Sequence, residues 1–351
     1  MLFCLRGQNL IFEAVNMKIL IFGGAGYLGG CLVPLLMEAG HEVTVFDLLL
    51  HGPAAVAPLA GRPGFRLVQA DIRDLGAVAA SLPGHQAVIL LAALVGEPAC
   101  ARDPAATVAI NYLAPLAVFR AAAYYGVERF IFASTDSCYG AQERVRLTEE
   151  APLRPLGLYA ELKARVEREL LAVLAAECGN QPGGGAEPGR PGCRLTILRL
   201  ATLYGPAPRM RFDLILNLLA REAALGRTAK IFSGEQWRPF VHVRDAARAF
   251  ALALAADPKV VAGQVFNVGS NHQNIQFRDI GELLGLVLPR ARVETVPQPP
   301  DLRDYHVAFD KISRTLGFRP DFELEDGLRE IAAGLAAGTW GDPDDPRHRN
   351  A

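Results

Sequence analysis

The segment Ile19-Leu20-Ile21-Phe22-Gly23-Gly24-Ala25-Gly26-Tyr27-Leu28-Gly29 constrains the chain more than any other stretch, because it spaces glycines every three residues where a strand-like run turns helical. Each glycine has its own task. Gly23 permits the tight turn, Gly26 lets the backbone approach a pyrophosphate, and Gly29 allows the helix to pack closely on the strand, leaving an anion at the helix N-terminus. About twenty residues on, Asp47 ends a second strand-like run, where a carboxylate accepts hydrogen bonds from ribose hydroxyls and repels a 2′-phosphate. NAD is therefore expected rather than NADP. Asp71 and Ile72, after a third such run, suit the edge and ring of an adenine.

Around this loop, short apolar runs alternate with longer stretches whose apolar residues recur at three- and four-residue spacing. The runs Lys18–Phe22, Glu42–Phe46, Phe65–Ala70, Ala87–Leu91, Arg129–Ser134 and Leu195–Leu200 read as strands, and Leu28–Ala39, Pro104–Tyr125 and Leu158–Glu177 as helices. The repeat predicts an α/β fold, a doubly wound parallel (Rossmann) sheet with its ligand crevice at the carboxyl ends of the strands. After Leu200 the rhythm changes to a long loop and amphipathic helix over Tyr204–Gly234, a helix over Arg238–Ala256 and a returning strand at Val265–Val268. Residues 17–200 are expected to form the NAD-binding domain, its sheet completed by 238–270, with 201–237 and 271–345 as a smaller C-terminal substrate-binding lobe. Residues 1–16 read as an N-terminal extension, since Met17-Lys18 begins the first strand like an ordinary protein start.

Hydrophobic residues make up 51% of the chain and charged residues 21%, a globular composition. A net charge of −1 argues against nucleic acid or an anionic membrane surface as a partner. The longest uninterrupted apolar run, Ala87 to Val95, falls well short of the roughly 20 residues of a membrane helix, and no membrane partner is expected. Met1–Asn16 lacks a small-residue cleavage site, so a cytoplasmic location is expected. The six cysteines form no C-x-x-C pair and no metal-ligand spacing with the seven histidines; reduced thiols and no metal are expected. Cys178 and Cys193, flanking the Gly/Pro-rich segment 179–192, are the pair placed for a bridge in an oxidising setting.

Several further motifs follow in order: Asp71-Ile72-Arg73-Asp74, Leu91-Ala92-Ala93, Ser134-Thr135-Asp136-Ser137-Cys138-Tyr139-Gly140, Tyr159-x-x-x-Lys163, Leu203-Tyr204-Gly205-Pro206 and Arg238-Pro239-Phe240-Val241-His242-Val243-Arg244-Asp245. Together with the glycine loop they resemble the extended short-chain dehydrogenase/reductase family, specifically its nucleotide-sugar epimerases and dehydratases. The match runs from Met17 to about Trp340. The resemblance implies an NAD-dependent enzyme acting on a sugar joined to a nucleoside diphosphate. It assigns Gly23, Gly26, Tyr27, Leu28, Gly29, Asp47, Asp71, Ile72, Leu91, Ala92, Ala93 and Lys163 to the cofactor. Thr135, Tyr159 and Lys163 become the catalytic set, and Asp136, Ser137, Thr202 and Arg238 face the substrate. By residue type, the planar donors of Arg209, Arg211 and Arg303 also suit the substrate diphosphate.

Four residues apart on a helix, Tyr159 and Lys163 share one face. A phenol with an ordinary pKa of about 10 is a poor base at neutral pH, but a neighbouring ammonium and a positive nicotinamide ring favour its phenolate. The resemblance also implies a homodimer in which Pro104–Tyr125 and Leu158–Glu177 pair across a two-fold axis. Three positions depart from the family pattern. Leu90-Leu91 replaces a usual histidine before the two alanines, Thr202 stands where many epimerases have a substrate-contacting asparagine, and Ser137 stands where dehydratases have the glutamate that takes the C5 proton. A serine hydroxyl is no base for a carbon-bound proton without its own activator. An epimerase is thus the first reading; a 4,6-dehydratase, a ketosugar reductase and a catalytically silent nucleotide-binding protein are the alternatives. His242 is expected to be a structural hydrogen-bonding residue.

Overall fold

In β1 (Lys18–Phe22), Ile19 and Ile21 enter one buried cluster while Leu20 and Phe22 enter another, so the strand must be covered on both faces. The computed structural model describes residues 16–142, 146–179, 192–232, 234–297 and 304–350. The remaining strands of the central sheet are β2 (Glu42–Asp47), β3 (Phe65–Gln69), β4 (Ala87–Leu90), β5 (Arg129–Thr135), β6 (Arg194–Leu200) and, beyond β7 (Thr202–Tyr204) and β8 (Trp237–His242), β9 (Gln264–Val268). Their spatial order is β9-β6-β5-β4-β1-β2-β3, every pairing parallel. The order reverses between β1 and β4, which opens a crevice at their carboxyl ends.

Helices α1 (Gly29–Glu38), α2 (Pro104–Tyr124), α3 (Leu158–Gly179), α4 (Ile215–Ala224), α5 (Val243–Ala255) and α6 (Leu324–Ala336) carry the layers around this sheet. Leu32, Val33 and Leu36 of α1 share one core with Phe250 and Leu254 of α5, and Val118 and Phe119 of α2 share the other with Val166 and Leu170 of α3. Among the described residues α2 is long and apolar enough to cross a membrane by length and composition, a match that run length alone does not reveal. Part of it is packed against the sheet and α3, as in a core helix.

Most expected elements appear within two residues of their predicted ends, but Arg238–Ala256 is not one helix. Trp237–His242 is a strand, paired in parallel with Thr202–Tyr204 and antiparallel with Asn274–Gln276, and α5 starts only at Val243. Pro239 bars a helix there, and Phe240 and Val241 favour the extended chain. The returning strand β9 does complete the large sheet, whereas β8 joins the smaller one. Thr228–Phe232 and Arg292–Val296 form a further parallel pair with no counterpart in the sequence reading; Arg292–Glu294 is exposed and lacks a buried alternation. Residues 1–15, Arg303 and the Cys178 side chain lie outside the described residues. Cys31, Cys100 and Cys138 carry free thiols.

One buried charge pair fastens α3 to the sheet. Arg199 on β6 donates from Nε to both oxygens of Glu167 at 3.1 and 3.0 Å and from Nη2 at 2.7 Å, and its Nη1 reaches the Tyr139 hydroxyl at 2.8 Å. Both partners are almost fully buried. Removing one leaves the other charged in a dry interior, so Glu167→Ala should cost about 3–5 kcal/mol in urea unfolding. The paired Arg199→Met, Glu167→Leu variant should cost less than that single change.

Candidate active site

Two cavities meet at the carboxyl end of the sheet. The first, about 250 Å³, is lined by the glycine loop, Asp47, Asp71, Ile72 and Leu91–Leu94; the second, about 610 Å³, by Thr135, Asp136, Ser137, Thr202 and Arg238. Tyr159 lines both. Lys163 lines only the first.

The first cavity fits a dinucleotide. Gly23 sits at φ +81°, and a Cβ there would stand 2.5 Å from the Ala92 nitrogen, so both conformation and space demand glycine. Gly29 lies so close to the Gly24 carbonyl that no side chain fits, which brings the first turn of α1 against the loop. Leu91 and Ala92 both donate backbone N–H groups to the Phe22 carbonyl, at 2.8 and 2.9 Å, holding the second lip beside the first. Asp47 accepts from Ala25 N at 2.9 Å and Leu49 N at 2.8 Å, which fixes the carboxylate at the crevice mouth. Leu49 adopts φ +59°, a left-handed conformation rare for leucine, to make that turn. Burial raises the Asp47 pKa against these two hydrogen bonds. Asp71 is held low by the Arg73 guanidinium that grips it. Tyr27 and Leu28 line the crevice, but the Tyr27 hydroxyl is committed to the Gly205 carbonyl at 2.5 Å.

At the junction, Thr135 ends β5 and its Oγ1 accepts from Ser137 N at 3.2 Å and donates to Ser137 Oγ at 3.1 Å. Lys163 donates from Nζ to the Ala133 carbonyl at 2.8 Å and lies 6.0 Å from the Tyr159 ring centroid. Burial lowers its pKa to about 8 and pushes the Tyr159 phenol well above its ordinary value. Lys163 is bonded to the β5 carbonyl, and loss of hydration dominates at the phenol, so a further positive charge is needed to favour the phenolate.

In the larger cavity Asp136 is buried, accepts from the Tyr305 hydroxyl at 3.2 Å through Oδ1, and has no partner at Oδ2. Burial raises its pKa to about 7, opposed first by the Arg238 charge. The Arg238 guanidinium lies over the Tyr305 and Phe277 rings. Arg211 borders both cavities but is clamped by Asp213 at 3.1 and 2.6 Å. Arg209 lines the first cavity rather than the second, because Pro208 packs on Gly30 in the first turn of α1 and carries the next residue there. His242 caps α5, accepting from Arg244 N at 3.2 Å, and its Nε2 faces Glu330 at 3.2 Å; it touches neither cavity.

Four residues escaped the sequence reading. Gln236 is buried in the larger cavity with its Oε1 unpartnered, Glu97 lines the same wall, and Tyr305 holds Asp136. Asn111 sits in a π-turn of α2 and brackets Leu94, accepting from its N–H and donating to its carbonyl, both at 2.8 Å, so it shapes the lip of the first cavity. An asparagine facing the core of an apolar helix was the one available signal.

The model of the NAD dependent epimerase/dehydratase family matches residues 19–269, and the chain belongs to that family. It is 29% identical to UDP-glucose 4-epimerase of Corynebacterium glutamicum over 72% of this chain and 75% of that protein. It is also 29% identical to dTDP-glucose 4,6-dehydratase of an Actinoplanes species over 92% of this chain and 99% of that protein. Among solved structures, dTDP-glucose 4,6-dehydratase of Streptomyces venezuelae, with NAD bound, is similar at TM-score 0.79 and 27% identity, covering 93% of this chain and 99% of that one. UDP-glucose 4-epimerase of Thermotoga maritima, with UDP-glucose, is similar at TM-score 0.78 and 27% identity, covering 92% of this chain and all of that one (100%).

The buried Asp136 has a measurable consequence. Its folded pKa of about 7 exceeds the ordinary carboxyl value near 4, so the folded state binds the proton more tightly. Stability contributed by the neutral carboxyl is full below about pH 4 and is lost as pH rises toward 7. Asp136→Asn should remove that slope in urea midpoints taken from pH 4 to 8.

Proposed function

We propose that the chain is an NAD-dependent epimerase of nucleoside-diphosphate sugars, oxidising one sugar carbon transiently and returning the hydride to its other face. The observation that carries this reading is the position of Tyr159 on the wall common to both cavities, with Lys163 on the smaller one and Thr135 on the larger. When bound, NAD would supply the hydride acceptor and, in its oxidised form, a positive charge that favours the phenolate. Gly23, Gly26, Gly29, Leu91, Ala92 and Ala93 shape its crevice, Asp71 and Ile72 would border the adenine, and Asp47 would hold the ribose hydroxyls.

Tyr159 takes the proton from the sugar hydroxyl and gives it back when the hydride returns. Lys163 would hold the nicotinamide ribose, and Thr135 would donate a hydrogen bond to the same sugar oxygen. Arg238 faces the diphosphate, with Thr202, Ser137 and Gln236 available to sugar hydroxyls. Ser137 carries the argument against dehydration, since elimination needs a base for the C5 proton. A second reading, a 4,6-dehydratase, is favoured by one observation, the unpartnered Asp136 oxygen with a pKa near neutrality in the sugar cavity. Each outcome also fits a cytoplasmic homodimer built through α2 and α3; Leu113 on α2 is 55% exposed, and a partner helix would cover it.

Incubation with UDP-, dTDP-, GDP- and CDP-sugars in D₂O, without added reductant, separates the readings by product NMR. The epimerase reading expects an inverted sugar without deuterium at C5; a 4-keto-6-deoxy product with deuterium at C5 would install the dehydratase. Tyr159→Phe should fold normally and lose on the order of 10² or more in turnover, and near-normal turnover would reject its role.

A further inference from the structure

The loop after Gly205 is pinned across the start of α1. Pro208 packs so closely on Gly30 that an added Cβ would stand 3.3 Å from its ring, and the Ala207 carbonyl accepts from Trp340 Nε1 at 2.9 Å. Arg209 follows, only 4% exposed, and lines the dinucleotide crevice. Its Nη2 donates to the Asn350 side-chain oxygen at 2.7 Å and to the Arg349 carbonyl at 3.2 Å, both neutral acceptors. Its Nε has no partner. Among the described residues no carboxylate pairs with it: Asp213 is taken by Arg211, and both Asp47 oxygens accept backbone N–H groups.

Trp340 and residues 348–350 form the support. Phe212 N donates to the His348 carbonyl at 2.8 Å, His348 Nε2 meets the Trp340 carbonyl at 3.0 Å, and Asn350 itself lines the crevice. A buried guanidinium held by neutral groups beside a helix N-terminus is an incomplete electrostatic arrangement. Burial and the Arg211 charge pull its pKa down to about 10 against the opposing charges of Asp213 and Asp47, neither of which bonds to it, and a bonded anion would offset that pull.

We infer that Arg209, held in place by residues 348–350, is a ligand for the diphosphate of the bound dinucleotide, so that this segment supports the cofactor site. The inference rests on reading this crevice as the dinucleotide site. A planar donor at that point binds phosphate oxygens that the α1 N-terminus also attracts. The same guanidinium chemistry suits a 2′-phosphate, which NADP carries and NAD lacks, and the experiment separates the two.

Affinities for NAD and NADP are measured by titration calorimetry for the wild type, Arg209→Ala and Asn350→Ala, each first checked by its melting curve without added nucleotide. Arg209→Ala should weaken NAD and NADP in equal proportion, by about ten- to a hundredfold, the scale of a charge-assisted hydrogen bond. Asn350→Ala keeps the charge and should weaken both several-fold; it carries the test should Arg209→Ala melt early. Unchanged NAD affinity in both variants would overturn the inference while leaving the cofactor site intact, as would a loss confined to NADP. A wild type that binds neither nucleotide would overturn the reading of the crevice, and the inference with it.

Discussion

The α3 helix turns a single face toward the sheet, and that face carries Tyr159, Lys163 and Glu167 at four-residue spacing. Glu167 is bound to Arg199 of β6 in the interior, and Lys163 to the carbonyl of Ala133 on β5. Two polar anchors on successive turns leave the helix no freedom to rotate or slide, because either motion would strand a charge away from water. The phenol one turn further out is thereby delivered to the seam between the two cavities. The cost of burying these groups is what makes the placement specific.

The same burial sets the chemistry. In a dry pocket the Tyr159 phenol strongly prefers its proton, and Lys163 is drawn toward neutrality. In the role proposed for it, a phenol so placed works as a base only when a positive charge arrives with the reaction, which would couple proton removal to occupation of the dinucleotide crevice. Asp136, by contrast, lies near neutrality without any ligand, held by Tyr305 and opposed by Arg238. Tyr159 and Asp136, both on the wall of the larger cavity, are thus tuned by the same desolvation in different degrees.

Much of this arrangement is local and therefore legible in the chain. The glycine loop, Asp47 and the Tyr159–Lys163 pair each depend on spacing within one or two elements, and the strands β1 to β6 are short, mainly apolar runs. Gln236, Tyr305 and Asn111 gain meaning only from residues distant in sequence that the fold brings beside them. Arg209 illustrates the limit most plainly. Its residue type suggested an anion, but which cavity it enters depends on Pro208 meeting Gly30, on the far side of the crevice. The strand at Trp237–His242 was hidden for a different reason: Arg238 to Ala256 keeps a helix-like apolar spacing through most of its length, and only Pro239 signals the extended entry.

The central claim is that one carbon gives up its hydride and takes it back within a single cycle at Tyr159. The direct measurement is the fate of deuterium placed on that carbon of the accepted nucleotide sugar, followed by mass spectrometry with unlabelled substrate of a second mass present and no added reductant. The account predicts inverted product in which every labelled molecule keeps its deuterium at the same carbon. Deuterium lost to solvent, or found at another carbon, would contradict it.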